Sequence, residues 1–295
     1  MNFLASASAG LWLDKTFASL DMSLFQFFGS IQNSVLTAIA MILTAFGEPR
    51  FVILFGVFGL ILCFPRRTRK LGLGIVFSVI IGTLLTNVVI KPLVMRIRPY
   101  NTLQTVPEYF AWYQGVGMPF ESDYCFPSGH ATATMEIALV MCFYFASEKK
   151  GKVAWIPPLV AVLAGCSRVY LMVHYATDVL AGWLIGIIAA IAGYLIASAL
   201  TKAINNAADR HAAEKGKRPR GRSVSSVQMT ITCLTAGLLI FLISYIPTIS
   251  NPDVEAERCA YNIDYTCYNE AEFSEKYPPI DGKHYCKIHW KELNQ

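Results

Sequence analysis

Charge is scarce in this chain. Of its 295 residues only 15% are Asp, Glu, Lys or Arg, and 54% are hydrophobic. A soluble domain carries about 25% charge, so the shortage excludes an ordinary soluble fold and points to several bilayer crossings. The N-terminus lacks the basic start and small-residue cleavage site of a secretory signal. No internal repeat is present, which weighs against a transporter built from inverted halves.

The uncharged stretches give the expected architecture. Residues 71–90 hold 20 residues without a charge, enough to cross about 30 Å of hydrocarbon as a helix. Residues 179–200 and 227–247 are equally free of charge, and 25–46, 51–64, 131–147 and 153–171 are further candidate spans. The pattern predicts an all-α integral membrane protein. An interfacial segment (1–24) precedes a six-span core (25–200). A basic loop (201–226), a seventh span (227–247) and a small tail (248–295) follow. Residues 11–28 are interrupted by Asp14, Lys15 and Asp21, which suits an amphipathic interfacial helix better than a span.

Basic residues set the expected orientation. Arg66, Arg67, Arg69 and Lys70 form one cluster, Lys149, Lys150 and Lys152 a second, and residues 202–222 carry seven more. Threading seven spans puts all three on one side, which the positive-inside tendency makes cytoplasmic along with the N-terminus. The loops 91–127 and 173–177 and the tail then face out. The tail's nine acidic and five basic residues fit that placement. The +5 formal charge is therefore a topology signal, and short basic loops between spans do not suit nucleic-acid binding. Cys63, Cys142, Cys166 and Cys233 read as small apolar filler. Cys125, Cys259, Cys267 and Cys286 fall outside, where disulfides persist, and are candidates for two bridges. A metal site drawn from Cys259, Cys267, His284, Cys286 and His289 is the alternative for the tail.

Three stretches at span ends carry chemistry. In KPLVMRIRP, Lys91 and Arg98 lie seven apart, on one face if the helix persists to Pro99. Their spacing of roughly 10 Å along the axis lets both side chains meet one anion. Lysine supplies a mobile charge and arginine a fork matched to phosphate oxygens. Arg96 falls off that face, toward lipid headgroups. In PSGH, Ser128 is an N-cap, Gly129 allows close backbone approach, and the helix start offers free N–H groups to an anion. His130 in the first turn is placed to act as a general acid. In SRVYLMVHYATD, Arg168 ends a span, and His174 and Asp178 form an i, i+4 pair. A carboxylate on one imidazole nitrogen leaves the other free to attack.

These residues resemble the type-2 phosphatidic acid phosphatase superfamily, whose pattern is KxxxxxxRP, PSGH and SRxxxxxHxxxD. Lys91, Arg98 and Pro99, then Pro127 to His130, then Ser167, Arg168, His174 and Asp178 match every fixed position, over roughly residues 20–200. The resemblance implies a nucleophilic His174 oriented by Asp178, and a His130 that protonates the leaving oxygen and then activates water. It implies a phosphate held by Lys91, Arg98, Arg168, Ser128 and the Gly129 N–H, with no metal and no cofactor.

The expected protein is thus a membrane phosphatase acting on a lipid phosphate or diphosphate at the outer face. Phosphatidic acid, phosphatidylglycerol phosphate and polyprenyl diphosphates are the candidate substrates, entering sideways from the bilayer. A lipid phosphotransferase on the same site and an anion transporter are the rival readings. Glu136, inside a span, is expected to bond a Ser, Thr or Tyr of another helix. The aromatic-rich loop 100–126 suits an interfacial lid or belt. Gly182, Gly186 and Gly193 suit close helix packing.

Overall fold

The computed structural model describes residues 3–215, except Ser122 and Lys150, and short pieces of 276–293. The expected seventh span, Cys233, Cys259, Cys267 and Cys286 lie outside the described residues. The described part is helical: α1 Phe3–Ser30, α2 Ser34–Ala45, α3 Pro49–Leu62, α4 Arg69–Thr83, and a π-helical segment Leu84–Ile90 running into α5 Lys91–Val94. Short helices α6 Pro99–Thr102 and α7 Pro107–Gly115 precede α8 Gly129–Ser147. Then come α9 Gly151–Ala154, α10 Ile156–Tyr170 and the long α11 Ala176–Glu214. The one β-pairing among the described residues is a bridge between Ile280 and Lys283.

Four segments are long and apolar enough to cross a membrane: Arg69–Thr102, Gly129–Ser147, Gly151–Tyr170 and Ala176–Glu214. The helices Ser34–Ala45 and Pro49–Leu62 qualify together as a fifth, bent by 44° at the break between them. The expectation placed separate spans at 25–46 and 51–64; by length and composition these two helices qualify only as a pair. Two local signals divide the chain there. Asn33 caps α2, its side chain accepting from Leu36 N at 3.0 Å. Pro49 at the start of α3 forces Glu48 into an extended conformation. At 12 residues α2 is only about 18 Å long. Its two ends bond the last turn of α10, Asn33 N to Tyr170 Oη at 3.2 Å and Thr44 Oγ1 to Arg168 Nη1 at 2.6 Å.

The N-terminal helix also departs from expectation. Phe25 of α1 packs on Tyr109 with ring centroids 5.0 Å apart, and a Cβ added at Gly29 would strike Trp112. Asp14 and Asp21 both reach Arg96. All these partners belong to the loops around the three motif stretches, so α1 lies at their end of the bundle rather than at the opposite, basic end. Its acidic residues point inward, while Leu11, Trp12, Leu20 and Phe27 point away from the protein.

The basic clusters gather at the other end, as expected. Arg67 pairs with Glu148 at 2.9 Å and Arg66 with Asp209 at 2.7 Å, while Arg69 donates to Cys63 O at 3.0 Å. Large apolar side chains such as Ile53, Leu60, Leu184 and Leu195 cover the outer flanks of the bundle. In a membrane protein that surface meets lipid tails.

Close backbone approach holds the centre together. A Cβ on Gly193 of α11 would lie 2.6 Å from the Ser78 nitrogen of α4. On Gly182 and Gly186 it would lie 2.6 and 2.8 Å from backbone oxygens of Ser128 and Thr132. Backbone cannot rotate away as a side chain can, so Gly193→Ala must push α11 from α4. The expected cost is about 1–3 kcal/mol, read as a lower thermal midpoint in detergent than that of a variant altered on the lipid-facing side of α11.

Candidate functional site

Lys91 and Arg98 do converge, but not along one helix. The α5 turn ends at Val94, and Met95 takes a left-handed conformation with φ 53°. Arg98, preceding Pro99, is extended (φ −71°, ψ 148°), as a residue before proline is obliged to be. The chain between them therefore swings away from the helical path. Lys91 Nζ and Arg98 Nη2 both bond the Asp123 carboxylate. Arg98 also donates to Glu121 at 2.9 Å, and Glu121 in turn bonds Arg168. Lys91, Arg98 and Arg168 thus surround one spot, with the oxygens of Glu121 and Asp123 set among them. Partial burial raises the Asp123 carboxyl, but the charges of Arg98 and Lys91 outweigh it and hold it well below the usual carboxylate range.

PSGH forms the expected helix start. Ser128 caps α8, its Oγ accepting from Ala131 N at 3.4 Å, and its own N donates to Asp178 O at 3.0 Å. A Cβ on Gly129 would stand 3.9 Å from Lys91 Nζ, so that glycine faces the cation cluster. His130 Nε2 lies 3.5 Å from Glu48 Oε1. A Cβ on Gly47 would come within 2.6 Å of the imidazole, so the α2–α3 break packs directly on His130.

The chain after α10 turns through Met172, at φ 60°, and delivers His174 just before α11. His174 Nδ1 sits 3.3 Å from Asp178 Oδ2, and Nε2 sits 3.2 Å from Arg98 Nη1. Only Asp178 is on the helix, yet the pair is in reach. With Nδ1–H directed at the carboxylate, the Nε2 lone pair faces the cations. Burial, then the charges of Arg98, Arg168 and Lys91, pushes the imidazole well below the ordinary histidine value, which keeps it neutral and able to attack.

A cavity of about 390 Å³ runs from Lys91, His130 and His174 past Val52 and Ile53 to Glu136. A second, of about 470 Å³, lies on the other side of His130 and is lined by Met41, Phe120, Arg168 and Leu171. The expected bond from Glu136 to a neighbouring hydroxyl is not formed: its Oε2 is buried without a partner among the described residues, at the wall of the first cavity.

Three features were not found by reasoning on residue types alone. Arg96, expected among headgroups, is 1% exposed. It bonds Asp14 at 2.7 Å, Asp21 at 2.9 Å and Asp178 at 2.6 Å. The seven-residue spacing of Asp14 and Asp21, one face of a helix, was the available signal. Glu121 and Asp123 are the two acidic residues of the aromatic loop nearest PSGH. Cys125, considered for a bridge to the tail, is a free and fully buried thiol. It donates to Asp178 Oδ2 at 2.6 Å and lies 3.4 Å from His174 Nδ1.

With this geometry in place, the comparisons with known proteins are decisive about kinship. A family model described as the PAP2 superfamily matches residues 71–202. An undecaprenyl-diphosphatase of Sulfolobus acidocaldarius is 33% identical over 167 residues, 56% of this chain and 73% of that protein. The chain belongs to the PAP2 superfamily. Phosphatidylglycerophosphatase B of Bacillus subtilis is 32% identical over 164 residues, 53% of this chain and 70% of the relative. A solved transmembrane PAP2-type phosphatidylglycerolphosphate phosphatase of Bacillus subtilis superposes with a TM-score of 0.50 at 25% identity, covering 68% of this chain and 94% of its own. The PAP2 match spans all three motif stretches and stops near the middle of α11.

Burial, and then the Asp178 charge, raises the Cys125 thiol well above its ordinary value. In the folded protein Cys125 is therefore expected to resist maleimide at neutral pH and to react once the chain is denatured. Mass spectrometry of the peptide around residue 125 reads this directly. A disulfide-linked peptide from the non-reduced protein would contradict the assignment.

Proposed function

We propose that this PAP2 protein is an integral membrane phosphatase that removes phosphate from a lipid phosphate or diphosphate through a phosphohistidine on His174. The observation that carries the reading is the double engagement of the His174 ring, with Asp178 at Nδ1 and Arg98 at Nε2, inside a cluster of three cations. A neutral imidazole with one nitrogen tied to a carboxylate is a competent nucleophile. Arg98, Lys91 and Arg168 supply fixed positive charge where a phosphoryl group gains negative charge, with Ser128 and the Gly129 N–H at the start of α8 beside them.

The steps follow from the placement. The Nε2 lone pair of His174 forms the N–P bond as the P–O bond to the lipid breaks. His130, across the cavity from His174, gives its proton to the departing oxygen. His130 then takes a proton from water, which attacks phosphorus, breaks the N–P bond and releases inorganic phosphate. Glu48 Oε1 lies 3.5 Å from His130 Nε2, which has no hydrogen-bond partner among the described residues. Electrostatic stabilisation comes from side chains and backbone dipoles, so the mechanism calls for no metal and no cofactor. The apolar wall at Val52 and Ile53 suits a lipid tail. The names of the relatives make an undecaprenyl-type diphosphate and a phosphatidylglycerol phosphate the first substrates to try. The basic end of the bundle favours a cytoplasmic position, which would put the site on the extracytoplasmic face.

The carboxylates of Glu121 and Asp123 stand where phosphoryl oxygens would sit. Substrate must displace them.

Two outcomes are expected. His174→Ala abolishes phosphate release from a lipid phosphate in detergent while leaving the thermal midpoint near that of the wild type. Turnover at wild-type rate would remove His174 from its role. Asp123→Asn takes away a competing anion and lowers the inhibition constant for orthovanadate by about tenfold, equivalent to about 1.4 kcal/mol. Unchanged or weaker inhibition would mean that Asp123 does not compete with phosphate.

A further inference from the structure

Arg96 belongs to none of the three motif stretches' fixed positions, yet it is bound as tightly as any group in the molecule. Its Nη1 donates to Asp178 Oδ1 at 2.6 Å and to Thr177 Oγ1 at 2.7 Å. Its Nη2 donates to Asp21 Oδ2 at 2.9 Å and its Nε to Asp14 Oδ1 at 2.7 Å. The Arg96 guanidinium carbon Cζ lies over the Tyr175 ring, 3.7 Å from its centroid. Asp21 also accepts from Thr177 N at 3.0 Å, so α1 is tied to the same turn of α11 twice.

This arrangement divides the two oxygens of Asp178. Oδ1 is committed to Arg96. Oδ2 is left to His174 Nδ1, with the Tyr175 N–H at 3.0 Å and the Cys125 thiol at 2.6 Å. The division fixes the carboxylate plane and hence the direction in which the imidazole points. It also fixes charge. A cation on Oδ1 withdraws negative charge that would otherwise stabilise the imidazolium, while Asp14 and Asp21 draw charge back from that cation.

We propose that Arg96 is a positioning residue for the His174–Asp178 pair, and that the N-terminal helix, through Asp14 and Asp21, sets how strongly it acts. The inference deepens the histidine-nucleophile reading and rests on it for its catalytic consequence. The other titratable and charged groups facing His174 are Arg98, Arg168, Lys91 and His130, with Glu121 and Asp123 behind them and the Cys125 thiol on the Asp178 side. None of these bonds α1. An anchor of purely structural value would lower stability and activity when removed, but would not move the proton affinity of His174 in a sign that depends on which charge is lost.

The test uses the full chain in detergent, with ring-labelled histidine and His174→Gln to assign the signal. His174 is titrated by NMR, and the pH dependence of kcat/KM is followed as phosphate release from a short-chain phosphatidic acid. Arg96→Gln should raise the titration midpoint and the acid limb together by about one pH unit, and reduce kcat by about tenfold to a hundredfold. Asp14→Asn, at a partly exposed position on α1, should move both to lower pH. Arg96→Lys, which restores charge without the fork, should bring the midpoint back toward wild type with only part of kcat. Variants that lose activity or thermal stability with no movement of the His174 midpoint would overturn the proposal. Should Arg96→Gln fail to fold, Asp14→Asn decides alone: a downward shift supports the inference and an unmoved midpoint overturns it. Variants that show the shifts, together with wild-type protein that releases no phosphate from any lipid phosphate, would overturn the phosphatase reading and leave the positioning role standing.

Discussion

A buried guanidinium organises the catalytic end of this protein. Arg96 joins the loop after α5, the start of α11 and the N-terminal helix at a single point. Charge in such a place is stable only when every partner is present, because losing one partner of a buried pair costs about 3–5 kcal/mol. The cluster therefore constrains more than local geometry. It requires α1 to lie across the site's end of the bundle, it requires the chain to leave the helix at Met95, and it orients Asp178 toward His174. The other end shows a different economy: its ion pairs are partly exposed and bridge loops that water can reach, where each pair contributes little.

The second constraint is electrostatic crowding. Lys91, Arg98 and Arg168 would repel one another in a low-dielectric setting, and Glu121 and Asp123 relieve that repulsion. If the cluster takes a phosphoryl group as proposed, the protein's own loop supplies the anions that fill it here. The same field keeps His174 neutral. On the reading proposed for His174, an unprotonated nucleophile and a positive pocket are one physical requirement, met by the same three side chains.

Much of this was legible in the residues. The spans at α4 and α11 follow from long runs without charge, and those at α8 and α10 from apolar stretches with few polar residues, because hydrocarbon penalises unpaired charge. The placement of Lys91, Arg98, Ser128, Gly129, His130, Arg168, His174 and Asp178 around one spot follows from motif order and span ends, and the structure brings them together. The first third of the chain was less legible. Asn33 and Pro49 are short signals that divide an apolar stretch into two short helices, a break that hydropathy by itself does not place. Arg96 was misread because helical periodicity was extended beyond Val94, where a left-handed residue ends it. Glu136 was assigned a partner it does not have, since no pattern reveals whether a facing helix carries a hydroxyl at the right depth.

By itself the sequence determined which residue types could carry the chemistry, which segments could lie in a bilayer, and which family the chain resembles. These depend on composition and short-range spacing, which are local properties. Tertiary structure alone decided that Arg96 is buried, that two aspartates of the N-terminal helix reach it, that Cys125 faces Asp178, and that two carboxylates occupy the cation cluster. Each of these joins residues far apart in the chain, and the energy of a buried charge depends on every neighbour it meets, wherever in the sequence that neighbour comes from.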